Sequence, residues 1–530
     1  MKSRYVPPEQ PLRHQQHPRP RTRREFIAQG FLAGVGVVVG GPALSLLSMP
    51  ARALSIAPPA GCLTGPQGNN KIPFLCIDLA GGANIAGSNV LIGQRGGQLD
   101  FLTTAGYSKQ GLPGDLLPSM VNPASGTNDL VDSSLGLAFH ADSAMLRGIL
   151  ERAGSVAGNI NGAVIPARSQ NDTANNPHNP MYGISRAGAG GAGARGELLA
   201  LVGSRNSESG GNSMAPAAMI DAALRPTKVE RPADATGLID LGGLLGGSLG
   251  EADNVRLMET IYRLSQLQMQ RVSTGLAADT LVKNQLLCSY AQSADLAERF
   301  GAGPGVLDPA SAANNGRIVG PAGIFSAAEF NANDTNGREF QKTASIMKLV
   351  IDGYVGAGTI TLGGYDYHTG ERRTGEDRDL RAGRCIGACL QYAALMGKPL
   401  MIYVCSDGSV FSNGMLDPSN GKGVWTGDNQ QTAASFFLVY NPAGRANLYQ
   451  SANTDSLMHQ QLGWMRGSGD VETISSPAAN NVNGLVDMVV LNYMALHGEQ
   501  GLYQGQFPVN SMGADIDRWI AFEGIVNGTL

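Results

Sequence analysis

Charge is scarce in this 530-residue chain: acidic and basic residues together make up 15%, against a hydrophobic share of 42%. That balance excludes a disordered polyelectrolyte, and 72 glycines point instead to a loop-rich globular protein. Cysteine is sparse as well. None of the six, at positions 62, 76, 288, 385, 389 and 405, forms a CxxC pair, which argues against a zinc-thiolate site. Cys76 and Cys405 sit in apolar strand-like runs, and Cys385 and Cys389 lie one helical turn apart beside Ile386 and Leu390. These four read as core residues, while disulfides stay open to a chain in an oxidising compartment. No P-loop and no haem-attachment CxxCH string is present, so an oxidoreductase is a distant third reading.

The N-terminus carries the most specific signal. A basic, proline-rich stretch leads to "RTRREFIAQG", with Arg23 and Arg24 ahead of Phe26 and Ile27, then to the weakly apolar "FLAGVGVVVGGPALSLLS" and to "ARA" at 51–53. This resembles a twin-arginine export signal (1–53) with cleavage after Ala53, which makes the twin-arginine translocase the expected partner and the periplasm or exterior the expected location. The apolar run is broken by glycines and a proline, and no later segment reaches the roughly 20 apolar residues a membrane span needs. No stable span is expected after cleavage. Removing residues 1–53 takes away eight basic and two acidic side chains, so the net charge falls from −4 to about −10. A nucleic-acid partner is therefore not expected, because it requires a basic stripe to displace phosphate counterions.

After a spacer (54–70), apolar runs bounded by glycine and proline recur. "IPFLCIDLAGG", "NINGAVIPARS", "GTITLGGYD", "LMIYVCSDGS" and "ASFFLVYNPAG" predict buried strands. Helical patterns lie between them. "TGEDRDLRAGRCIGACLQYAALMGKP" is the clearest, with Thr374 as its expected cap and Gly397 and Pro399 as its stop. The alternation predicts an α/β fold, a mostly parallel sheet covered by helices on both faces. Residues 71–185 and 336–530 form the expected core. The stretch 186–335, with the glycine-rich "RAGAGGAGARG" and "LGGLLGGSLG" and an amphipathic helix through Leu257, Met258, Ile261 and Leu264, is the expected insertion or cap.

In an open parallel sheet ligands collect beyond the carboxyl ends of the strands. Asp78, Asp366 with His368, and Asp407 each lie at or just past the end of an expected strand. Asp366 and His368 are two positions apart, so in extended chain they share one side. Carboxylates gathered this way repel one another unless a cation sits among them, and carboxylate plus imidazole is ordinary ligation for a divalent metal, zinc or calcium/magnesium. Ser169 and Thr173, in "ARSQNDTANNPHN", are candidate hydroxyl nucleophiles, with Asp172, Asn175, Asn176 and His178 placed to orient substrate.

The succession "DLAGG", "LGLAFHADSAMLRGILERAG", "ARSQND", "GGYDYHTGE" and "VCSDGSVFSN" resembles the bacterial family called domain of unknown function 1501, of the alkaline-phosphatase-like superfamily. The resemblance implies a metal-dependent hydrolase of phosphate or sulfate esters acting on a small-molecule substrate. It would place metal on Asp78, Asp366, His368, Asp407 and Asp428, with Thr173 as attacking group and Ser169 as second choice. The chain departs from the family pattern in three places. Gln170 and Asn171 stand where the family has His-Phe, Gly408 and Ser409 follow Asp407 where it has Phe-Gly-Arg, and Asn429 replaces a histidine. These losses favour the alternative of a non-catalytic periplasmic binding or scaffold protein on the same fold. Two-metal hydrolysis requires Asp78, Asp366, His368 and Asp407 to converge within about 6 Å of one point, matching metals about 4 Å apart.

Overall fold

All five apolar runs become strands, and they join one sheet. The computed structural model describes residues 56–60, 62, 71–118, 130–169, 176–188, 193–239, 251–273, 275, 277–300, 304–368, 370, 372–419, 421–450 and 456–528. The expected export signal lies outside the described residues. The sheet contains β1 (Phe74–Leu79), β2 (Ile160–Pro166), β3 (Leu199–Gly203), β4 (Thr227–Lys228), β5 (Val355–Leu362), β6 (Leu400–Ser406) and β7 (Ala434–Tyr440). Their spatial order is β2-β7-β6-β1-β5-β3-β4. Only β7 runs against its neighbours, β2 and β6; all other pairings are parallel. The mostly parallel α/β class holds.

Because β7 is antiparallel, it enters the sheet at the edge where the parallel strands leave it. Ala434 at its start pairs with Pro166 at the end of β2. The chain just before β7 is thereby delivered to the same edge as the segments after β1, β2, β5 and β6. That edge carries the site.

Six helices need naming: α1 (Ala144–Ala153), α2 (Glu251–Met269), α3 (Asp279–Arg299), α4 (Thr335–Ile351), α5 (Arg372–Met396) and α6 (Val482–Leu496). Phe74, Cys76, Ile165, Met401, Tyr403, Cys405, Phe437 and Val439 share one hydrophobic cluster with Leu485, Val489 and most of α6. These strand residues alternate in sequence, as a period of two requires, so they present one face of the sheet to α6. On the other face, a Cβ on Gly358 of β5 would meet Ile346 and Val350 of α4 and Leu75 of β1. α6 is apolar nearly all round and buried along its length, which suits a core helix of 15 residues. Among the described residues no helix is long and apolar enough to cross a membrane.

Helix ends follow local chemistry. Ser143 caps α1 by accepting from the Leu146 amide, and Asp334 caps α4 by accepting from Gly337. α5 begins at Arg372, two residues before the expected cap Thr374. It stops where expected: Gly397 takes the left-handed conformation, φ +63°. Where α1 meets α5 the backbones touch. A Cβ on Gly148 would lie 2.2 Å from the Leu380 carbonyl oxygen, and one on Gly383 would lie 2.1 Å from that of Met145.

The chain divides into two units, Pro66–Leu238 with Pro304–Leu530, which holds the sheet, and Met1–Gly65 with Ile239–Gly303. Of the stretch 186–335, Ile239–Gly303 belongs to the smaller unit and the rest to the sheet unit. Strands β3 and β4 are part of the main sheet, and the apolar "LLALVG" run that builds β3 was hidden between glycine-rich flanks. Within the smaller unit a Cys62–Cys288 disulfide ties the spacer to α3, and the Tyr262 hydroxyl on α2 donates to the Ala57 carbonyl at 2.6 Å. The other four cysteines are free and buried, as their apolar settings predict.

Candidate functional site at the sheet edge

Asp78 is the penultimate residue of β1, with its carboxylate fully buried. The Asn212 amide (2.5 Å), the Ser213 amide (3.0 Å) and the Thr361 hydroxyl (3.2 Å) all donate to Oδ2, and the Ser213 hydroxyl donates to Oδ1 at 2.9 Å. Burial pushes the carboxyl pKa up, and the bonds from Ser213, Asn212 and Thr361 pull it back. Asp407, just past β6, is buried too. Its Oδ1 accepts from the Gly81 amide at 2.7 Å, its Oδ2 from the Asn212 side chain at 3.0 Å, and its carbonyl from Asn176 Nδ2 at 2.6 Å. Gly81 must be glycine here: its φ is +127°, and a Cβ would sit 2.5 Å from the Asp366 amide nitrogen. The two buried acids therefore lock the strand-end loops together.

The other three acid and imidazole candidates meet at the surface. His368 Nε2 lies 2.7 Å from Asp366 Oδ1 and 4.0 Å from Asp428 Oδ2, and the three residues offer ligand atoms all within 4.8 Å of one another. Asp366 and His368 meet because two-apart residues share a side, as the sequence implies. Asp428 joins them by topology, from a two-residue strand, Gly427–Asp428, that pairs with Val410–Phe411 ahead of β7. The Asp366 side chain is 71% exposed, His368 35% and Asp428 37%. Two carboxylates and one imidazole fit a single borderline divalent cation such as zinc better than a hard one, and they leave coordination positions open. Asp78 and Asp407 do not belong to this group.

Asp428 also lines a cleft of about 350 Å³ with Arg168, Ser169, Ser409, Asn429 and Gln431. Arg168 and Ser169 follow β2, so this cleft is the direct product of β7 starting beside the end of β2. Ser169 is 3% exposed and its hydroxyl has no hydrogen-bond partner among the described residues. Half-buried Arg168 donates to Asn480 Oδ1 at 3.1 Å, and Ser409 shares a hydrogen bond with Thr432. The result is a polar recess with one guanidinium, one unspent hydroxyl and a carboxylate at its rim. It suits an anionic, oxygen-rich ligand.

Thr173, Asp172 and Asn175 lie outside the described residues. Asn176 ties its segment to the β6 end, and His178 is buried with Nδ1 unpartnered among the described residues, where burial pushes its pKa down to about 4. Trp425 plugs the fold: it is 2% exposed, with the buried Arg372 guanidinium 4.5 Å from its ring. Sequence reasoning missed Arg168, Asn212 and Ser213. Arg168 had a readable signal, a cation directly after a strand, whereas Asn212 and Ser213 sit in a serine- and glycine-rich stretch that reads as plain loop. Comparison with family models, with curated proteins and with solved structures finds no match to this chain.

Proposed function

We propose that this chain is an exported binding protein for an anionic, oxygen-rich small molecule, taken up in the Ser169 cleft beside one divalent cation held by Asp366, His368 and Asp428. The observation that carries this reading is that Asp428 belongs at once to the cation trio and to the cleft wall. Arg168 balances the ligand's charge, Ser169 and Asn429 supply neutral polar contacts, and the cation attracts ligand oxygens. Export rests on the Arg23–Arg24 signal and suits the Cys62–Cys288 disulfide.

Two-metal ester hydrolysis has less support, because both oxygens of Asp78 and both of Asp407 already accept hydrogen bonds. A second reading, a one-metal phosphate or sulfate ester hydrolase, is favoured by one feature: the unpartnered Ser169 hydroxyl lines the same cleft. A bound cation would polarise the ester and lower the pKa of a coordinated water. Ser169 has no base beside it among the described residues, so it is a weak nucleophile.

Zinc analysis of mature protein, calorimetry with inorganic phosphate and sulfate, and assays with aryl phosphate and aryl sulfate separate the readings. One zinc per chain, lost in Asp366→Ala, with anion binding weakened in Arg168→Ala and no turnover, supports the binding protein. Turnover abolished by Ser169→Ala replaces it with the hydrolase. Failure to bind zinc or either anion removes both.

A further inference from the structure

The chain has three tryptophans, and two of them line one cleft away from the acid and imidazole trio. Trp464 and Trp519 are half-buried walls of a recess of about 300 Å³ whose mouth carries Arg95 and Arg518. The Arg95 guanidinium is 5.7 Å from the Trp464 ring centroid and that of Arg518 is 5.1 Å from Trp519. Neither arginine has a carboxylate within ion-pair distance among the described residues, so stacking on indole holds two uncompensated cations over the opening. The nearby acid Glu472 is committed to Arg466 at 2.9 Å. Ser475 also lines the recess. It is 1% exposed and its hydroxyl has no partner among the described residues, so it is free to bond with a ligand that enters the recess.

We infer that this cleft binds an anionic pyranose, a sugar ring bearing a carboxylate or a sulfate. Indole faces stack on the C–H faces of a sugar ring, guanidiniums pair with its charged group, and the buried hydroxyl meets a ring hydroxyl. The volume stands at the small end of ligand clefts, which run roughly 300–1,000 Å³, and so suits one or two rings. A nucleobase is a poorer occupant. Reading its edge takes amide-like donors and acceptors, and the one amide in the wall, Gln461, is spent: its Oε1 accepts from the Gly93 amide at 2.8 Å and its Nε2 donates to the Gln94 carbonyl at 3.0 Å. This inference uses none of the residues of the Ser169 cleft.

Tryptophan fluorescence tests it directly, because Trp425 is buried and the other two indoles line the recess. Mature protein is titrated with trigalacturonate, with maltotriose as the neutral sugar, and with inorganic sulfate and adenosine monophosphate as anions lacking the sugar face or adding a base. The expected result is saturable quenching by trigalacturonate, at least about tenfold weaker with each other probe, and weakened at least about tenfold in Arg95→Ala and in Trp519→Ala. Both variants are checked for native melting, and Arg518→Gln is the milder replacement if one fails to fold. Equal affinity for maltotriose, for sulfate or for the nucleotide overturns the inference, as does wild-type affinity in the folded variants or no quenching up to about 10 mM.

Discussion

Asp78, one residue before the end of β1, and Asp407, one residue past the end of the neighbouring strand β6, are held by the same residue: Asn212 donates to Asp78 from its backbone at 2.5 Å and to Asp407 from its side chain at 3.0 Å. A site that looks in sequence like a set of metal ligands is, at these two positions, a clasp. The loop carrying Asn212 and Ser213 is pinned to the sheet edge by it.

The clasp predicts that Asp78 acts on stability and not on cation affinity. Asp78→Ala leaves the Asn212 and Ser213 amides and two hydroxyls buried without their acceptor, and should cost about 3–5 kcal/mol. Denaturant titration measures this. Zinc affinity of the folded variant should match wild type, and a selective loss of zinc binding with unchanged stability would show that Asp78 is a ligand after all.

Stability should depend on pH through Asp379, which lies buried in α5 with Asn89 Nδ2 2.9 Å from one oxygen. Burial pushes its pKa up to about 7 despite the Asn89 bond and the pull of Arg372. The folded state then holds a proton that the unfolded state releases near the ordinary value, so this group makes the protein less stable as pH rises from about 4 to 7. Asp379→Asn should remove that loss. Melting curves should show the variant gaining on wild type, by on the order of a few kcal/mol above pH 7, and matching it near pH 4.

His178 works in the opposite direction. It is neutral in the fold, its pKa lowered to about 4 by burial, while in the unfolded chain it binds a proton near 6.5. Stability from this group is complete above pH 6.5 and declines as pH falls toward 4. In His178→Gln the acid limb of the melting profile should be shallower than in wild type. An unchanged limb would mean that His178 titrates normally in the folded protein.

At the α1–α5 crossing, Gly383→Ala should destabilise by about 1–3 kcal/mol, because the new methyl meets the Met145 carbonyl oxygen at 2.1 Å. The sign is the informative part. At a roomy helical position the same change stabilises by roughly 0.5–1 kcal/mol. A raised melting temperature would contradict the close backbone contact.

Reduction should loosen the smaller unit first. Its buried cluster is small, centred on Tyr262, Leu287 and Ala291, and the Cys62–Cys288 bridge closes a separation of 226 residues. Losing such a link typically costs about 2–5 kcal/mol. Limited proteolysis with reductant should cut α2 and α3 while the sheet unit survives, and cutting in the sheet unit first would refute this.

Much of the fold was legible. Each apolar run that ends in glycine or proline became a strand, because a buried parallel strand needs apolar side chains on both faces and a turn former at its end. Gly397 stopped α5 because the left-handed C-terminal position favours glycine. Strand β3 was not legible: five residues between glycine-rich flanks give no period to read.

For the candidate site, the sequence by itself determined what is local. It set the mostly parallel α/β class, the strand-end position of the acids, and the meeting of Asp366 with His368, which follows from two-residue spacing alone. Tertiary structure decided which acids stay open to solvent and which are buried under donors, because the donors to Asp78 arrive from 134, 135 and 283 residues away. It also brought Arg95, Trp464 and Trp519 to one recess. A side chain's availability depends on what folds against it, and that partner is chosen by the packing of the whole sheet rather than by neighbours in the chain.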